Sequence, residues 1–439
     1  MNLTWPQKIS RAVLAVAALF AVGSLLVTLD IPLQGTHAWR QSDTLYMSYA
    51  YCTEGAEFLR PHVGRRMDTS GVAIGEFPIF SYLMAVKCLV TGVWDEVFPK
   101  LVTFFFLILN FALWWRFLRR EAGGRFVPFW VFASLMGFAP IVLLHLTIPI
   151  PDVFALALVP MIGLMKDDAR AWVLGLRWAL FLLMFLVRPY FVPFVFVLYR
   201  RRWEQAVAVA LCALGYLVWF KYWVYTSELH QHFGTELRSL SVLMQQLPHA
   251  APRLVWDFFR DQWNFLGVLF LIPVLRAWRG QKDWLLTGLS GTALVLFLRG
   301  DHFMIHGYYL LVPAMMSFYF MCLGYLRSSE KWREPVLALM ALLGLAAVAH
   351  HWNPEKNAMG VRLRAEIAAV TRPGELIALY GSTAPTQFYN ALRPGWSFAA
   401  VEEFQGETRC PPDVKAAVIL RNDETDFKIE LCQGQGATP

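Results

Sequence analysis

Seven ionisable side chains sit in or beside long apolar runs of this 439-residue chain: Asp43, Glu76, Asp152, Arg188, Asp301, His302 and His306. Charge at membrane depth is costly, which makes such groups candidates for function. Each carboxylate also has a plain structural use. Asp43 could face a helix N-terminus, Glu76 could be a solvated turn residue before Phe77-Pro78, and Asp152 could cap the helix after Pro149-Ile150-Pro151. Arg188 is different. A guanidinium inside an apolar hairpin needs an anionic partner, either phosphate or carboxylate. His302 and His306 have the spacing of two metal ligands on one helical turn, and equally suit hydrogen bonding at an interface. His37 and His145 carry less signal. Tyr308-Tyr309 reads as part of an aromatic belt at the water boundary. No residue set defines a metal site, and dependence on a divalent cation stays open.

The elements that must hold these groups are membrane helices. The chain is 57% hydrophobic and only 16% charged, with a mean hydropathy of +0.44. A soluble domain carries about 25% charged residues. Apolar runs of about 17–22 residues, separated by short charged clusters, define a polytopic α-helical membrane protein. No alternating ten-residue pattern points to a barrel. The net charge of +7 does not indicate nucleic acid, because the basic residues cluster at the ends of apolar runs and report topology. These clusters are Lys8/Arg11, Arg116–Arg125, Lys166/Arg170, Arg200–Arg202, Arg276–Lys282 and Arg327–Arg333. They give about eleven crossings, with the N-terminus cytoplasmic and the C-terminus outside. The expected spans are 12–29, 99–117, 126–145, 152–165, 171–187, 189–199, 205–222, 264–276, 284–298, 307–326 and 335–351. The pair 171–199 is one apolar stretch broken at Arg188-Pro189, which dips into the outer leaflet.

The first outer loop, 30–98, holds two candidate interfacial helices. One covers 43–59, with Ser42 as its cap, and the other covers 78–91, opened by Pro78. The segment 223–263, rich in Trp and Phe, reads similarly. Residues 1–351 therefore form a transmembrane module, and 352–439 a small extracytoplasmic α/β domain. In that domain Glu375–Tyr380 and Lys415–Leu420 are expected as strands, Glu355–Val370 and Pro385–Leu392 as helices. Of six cysteines, Cys52, Cys88, Cys212 and Cys322 read as packing residues. Cys410 and Cys432 could form a disulfide if their segment lies outside the cytoplasm.

HAWRQSDT (37–44) followed by EFPIFSYL (76–83) resembles the first-loop signature of the integral-membrane GT-C glycosyltransferases. That group includes the protein mannosyltransferases, the ArnT-type aminoarabinose transferases and bacterial members of the glycosyltransferase-39 clan. PDVFALALVP (151–160), Arg188-Pro189, HGYYLLVPA (306–314) and GSTAPTQFYNALRPGW (381–396) are similar to further segments of the clan. The resemblance implies a GT-C architecture in a bacterial inner membrane. It also implies transfer of a sugar, with inversion, from a polyprenyl-phosphate carrier to a hydroxyl of lipid A, a surface glycan or a protein such as a pilin. On that reading Asp43 and Glu76 are the catalytic carboxylates, and Arg188, Arg299 and Arg40 bind the donor phosphate. Asp152, His302, His306, Tyr308 and Tyr309 contact substrate. The best-known members carry Asp-Glu together in the first loop, whereas here Ser42-Asp43-Thr44 supplies one acid and Glu76 stands apart. A transporter or flippase of a lipid-linked or anionic substrate is the alternative, although the chain shows no repeated halves of the kind common in transporters.

Overall fold

A computed structural model describes residues 4–432 except 28, 30–32, 34–37, 67–68, 74–75, 169, 229–244, 246–247, 249–250, 253–254, 275–280, 300–306, 350–353, 382–385, 399–412 and 422–425. The protein is mostly helical, with a small C-terminal sheet. It is a membrane protein. Among the described residues five helices are long and apolar enough to cross a bilayer: Trp5–Val27, Val97–Glu121, Arg202–Trp223, Tyr308–Arg327 and Glu330–Ala349. The first of these, α1 (Trp5–Val27), leaves Val16, Leu19 and Phe20 exposed. Its other face, with Ser10, Leu14 and Ala17, is buried and the helix packs on Glu330–Ala349, so the exposed apolar face suits contact with lipid.

Helices α2 (Ala38–Thr53) and α3 (Ile79–Thr91) follow, then α4 (Val97–Glu121). The expected span 126–145 is broken into α5 (Phe129–Gly137) and α6 (Pro140–His145), where Pro140 cannot continue the preceding helix. Next come α7 (Asp152–Leu164) and α8 (Ala171–Val187). The expected span 189–199 is a 3-10 segment, Pro189–Phe194, plus a single turn, α9 (Val195–Leu198). Its length, roughly 18 Å, falls short of a 30 Å core. After α10 (Arg202–Thr226), the expected span 264–276 is also irregular: a π-helical turn (Phe258–Gln262), then α11 (Val268–Leu271) and a 3-10 turn (Ile272–Val274). Helices α12 (Lys282–Arg299), α13 (Leu311–Arg327) and α14 (Glu330–Ala349) complete the helical module.

The sheet domain contains α15 (Pro354–Val370), β1 (Leu376–Tyr380), α16 (Thr386–Ala391), β2 (Gly395–Phe398), β3 (Val414–Arg421) and β4 (Asp426–Leu431). Its strand order is β2-β1-β3-β4. β1 is parallel to both neighbours, and β3 and β4 are antiparallel. Met359, Leu363 and Ile367 recur every four residues on α15, which puts them on one face against Ile377, Leu379, Val418 and Leu420.

Two sequence expectations need correcting here. Ser42 does not cap α2, which begins earlier, at Ala38. Its hydroxyl donates instead to the Trp39 carbonyl at 2.6 Å, inside the helix. Cys52 and Cys88 are not solitary packing residues but form a disulfide joining α2 to α3, with Cα atoms 5.7 Å apart. The pairing comes from the packing of those two helices, which spacing along the chain does not reveal. Cys212 and Cys322 are free and buried, as expected. Cys432 is disulfide-bonded, and Cys410 lies outside the described residues.

Candidate active site

The first loop and the end of α8 are joined by the main chain. The Phe77 amide donates to the Leu186 carbonyl at 3.1 Å, which brings Glu76 beside Arg188. Asp152 is the first residue of α7. Its helix is tied to α4 by the Asn110 amide, 2.7 Å from the Val153 carbonyl, and by the Trp114 indole, 3.2 Å from the Leu156 carbonyl. At the end of α8 the Arg188 amide bonds the Met184 carbonyl at 2.8 Å, and Pro189 then prevents the helix from continuing.

These joints assemble a chain of alternating charge. Arg40 pairs with Glu76, Glu76 pairs with Arg188, and Arg188 donates to Asp152 at 2.6 Å. The Tyr190 hydroxyl donates to the other oxygen of Asp152. The side chains of Arg40 and Arg188 are only 6% and 7% exposed, and that of Asp152 is fully buried. Asp43 is 1% exposed and lies three residues after Arg40, on the same face of α2. Aromatic rings form one wall. The Arg188 guanidinium lies 6.0 Å from the Tyr308 ring centre, Tyr308 and Tyr309 are 4.6 Å apart, and Tyr309 meets Tyr190 edge-on at 5.0 Å. His145, at the end of α6, meets Tyr308 edge-on at 5.8 Å.

Arg40, Glu76, Asp152, Arg188, Tyr308 and Tyr309 thus converge, and Asp43 lies one helical turn from Arg40. Neither plain reading of the two outer acids describes them. Asp152 is the first residue of α7 and not its cap, with its two oxygens accepting from Arg188 and Tyr190, and Glu76, 13% exposed at its side chain, is held between two guanidiniums. Arg299 ends α12. Its side chain, together with His302 and His306, lies outside the described residues. Among the described residues no group of three His, Cys, Asp or Glu is placed to hold a metal ion. Sequence reasoning missed Tyr190, although it stands two residues after Arg188, and gave little weight to His145.

A second polar cluster braces the first loop from within. Glu54 accepts from Tyr46 at 2.8 Å and pairs with Arg66, with His62 at 3.3 Å. Burial disfavours its charge, but His62, Arg66 and Tyr46 outweigh burial and hold the carboxyl below its usual range. The sheet domain seats on the same loop. Arg364 pairs with Glu96 and donates to the carbonyls of Tyr389 and Asn390, while the Tyr389 hydroxyl donates to Glu96. The Gly395 amide bonds the Gly64 carbonyl at 2.9 Å. Gly64 has no room for a Cβ, which would fall 2.6 Å from Phe388.

No protein-family model matches the chain, and no curated protein resembles it in sequence. Solved structures share its fold. ArnT from Cupriavidus metallidurans in the apo state superposes with a TM-score of 0.57 at 14% identity, over 92% of each chain. The same protein bound to undecaprenyl phosphate gives 0.55 at 12%, again over 92% of each chain. The archaeal oligosaccharyltransferase AglB from Archaeoglobus fulgidus, in complex with an inhibitory peptide and a dolichol-phosphate, gives 0.52 at 10%, over 95% of this chain and 70% of that one. The fold is the GT-C fold of membrane glycosyltransferases. Within that fold the chain takes the ArnT-like form, with a C-terminal α/β domain.

Proposed function

We propose that the protein is an inverting glycosyltransferase that moves a sugar from a polyprenyl-phosphate carrier to an acceptor hydroxyl at the non-cytoplasmic face of the membrane. The observation that carries this reading is the buried charge chain Arg40–Glu76–Arg188–Asp152, with Asp43 one helical turn away. Two structural relatives are bound to undecaprenyl phosphate and to a dolichol-phosphate, which supports a donor of that class.

In this mechanism Asp43 takes the proton of the acceptor hydroxyl. The acceptor oxygen then attacks the anomeric carbon, and the bond from that carbon to the phosphate oxygen breaks. The phosphate leaves with the electron pair, and Arg188 and Arg40 meet its charge with N–H groups already fixed in place. Glu76 and Asp152 hold the two guanidiniums in position between turnovers. Tyr308 and Tyr309 offer the donor an aromatic wall. The lipid tail lies along apolar helices beside the site.

The proposed topology places the α2–α3 loop and the domain 352–439 outside the cytoplasm. The Cys52–Cys88 disulfide supports it, because such bonds persist in oxidising compartments. So does the pairing of Arg11 with Glu334, which joins the basic ends of α1 and α14 expected on the cytoplasmic side.

Purified protein given radiolabelled polyprenyl-phosphate sugars and envelope acceptors provides the test. Transfer that depends on Asp43 supports the proposal. Translocation without transfer supports the carrier alternative instead.

A further inference from the structure

Gln262 closes the π-helical turn Phe258–Gln262 and is fully buried, yet neither its amide nitrogen nor its amide oxygen has a hydrogen-bond partner among the described residues. Buried amides are nearly always matched. The side-chain donors just after this turn are used to fasten it. The Asn264 amide donates to the Phe138 carbonyl at 3.1 Å and to the Met340 carbonyl, and the Trp263 indole donates to Ser317 at 3.1 Å. Asn264 and Phe265 are held at φ of 46° and 58°, a region that side chains rarely adopt. Such strain persists only where the surroundings enforce it, and it gathers at ligand sites, as π-helical turns do. The turn packs against α6 and α13. α6 ends at His145, whose ring meets Tyr308 beneath Arg188.

We infer that Gln262 belongs to a subsite for the sugar carried by the donor, and that its amide helps to set which sugar is accepted. A primary amide offers two N–H donors and a carbonyl acceptor, which complements neighbouring ring hydroxyls, each able to donate and accept. Arg188 and Arg40 would then read the phosphate, which is common to all polyprenyl donors. Gln262 would read the part in which those donors differ. This inference rests on the glycosyl-transfer reading above.

The experiment separates the two ideas by measuring binding apart from turnover. Wild type and Gln262→Leu are titrated with polyprenyl phosphate alone, and with polyprenyl phosphate bearing mannose, glucose, arabinose, aminoarabinose or galacturonic acid. Wild type should bind its preferred sugar-bearing lipid more tightly than the bare lipid phosphate. Gln262→Leu should lose that advantage, on the order of tenfold, while its affinity for the bare lipid stays the same. The variant should fold, because leucine removes an unmatched amide from a buried position. Gln262→Glu, which keeps the shape and changes the donor set, should reorder the preference among sugars. Equal discrimination by wild type and both variants overturns the subsite, and leaves glycosyl transfer standing if Asp43→Asn still abolishes it. A wild type that does not distinguish sugar-bearing from bare lipid also overturns it. Transfer absent with every donor removes the reaction, and the binding series then reports on the subsite alone.

Discussion

The two ends of α7 both carry charge, and they carry it differently. At its start Asp152 is fully buried and joined to Arg188, which leads on to Glu76 and Arg40. Just past its other end, about 18 Å along the axis, Asp167 pairs with Arg120 and Arg200. Asp167 and Arg120 are about one-third exposed at their side chains, and Arg200 is more exposed still. Exposed ion pairs contribute about 0–1 kcal/mol and are common wherever helices end in water. A buried chain of four charges is expensive to desolvate, and a stable bundle does not require one. The exposed end reads as topology and anchoring. The buried end calls for a use beyond stability, and the anion binding proposed above would supply it.

The comparison can be broken at several points. The largest effect should come from Asp43→Asn, with transfer falling about 10²–10⁴-fold while the protein still inserts and purifies. Labelled-sugar transfer and size-exclusion chromatography check both halves of that statement. Arg188→Ala removes one member of the buried chain and should lower stability by about 3–5 kcal/mol, read as the thermal midpoint in detergent. Arg188→Lys keeps the charge without the two-armed geometry, and should recover part of the stability and little of the donor affinity. Cys52→Ser should cost about 2–4 kcal/mol, as should reduction of the wild type. Acidification tests the Glu54 cluster. Its folded-state pKa lies below the ordinary value of 4.5, so its contribution is complete above that value and is lost as pH falls through the folded value. Glu54→Gln should flatten that part of the stability–pH curve. The smallest change belongs to the opposite end: Asp167→Asn should shift stability by no more than about 1 kcal/mol and leave transfer unchanged.

Much of this molecule could be read from its sequence. A bilayer imposes a length on each apolar run, and α4, α10 and α14 follow their expected spans to within about five residues, whereas α1 begins seven residues before its expected start. Asp152 and Arg188 stand out because charge is rare in such runs. What the sequence hid depends on contacts between distant segments. The Cys52–Cys88 bond needs α2 packed on α3, and the brace from Glu96 to Arg364 spans 268 positions. β2 is only four residues long and pairs in parallel with β1, so no hairpin signal marks it. The runs 189–199 and 264–276 look like spans by composition, and prolines and a strained turn keep both from being continuous helices. Gln262 gave no signal, because one amide in a run of polar and aromatic residues looks like loop.

The bond from the Phe77 amide to the Leu186 carbonyl involves no side chain. It therefore survives almost any replacement at position 76 and fixes a location without dictating what occupies it. Exchange of the Glu76 carboxylate would change the charge offered to Arg40 and Arg188 and leave the course of the backbone as it is.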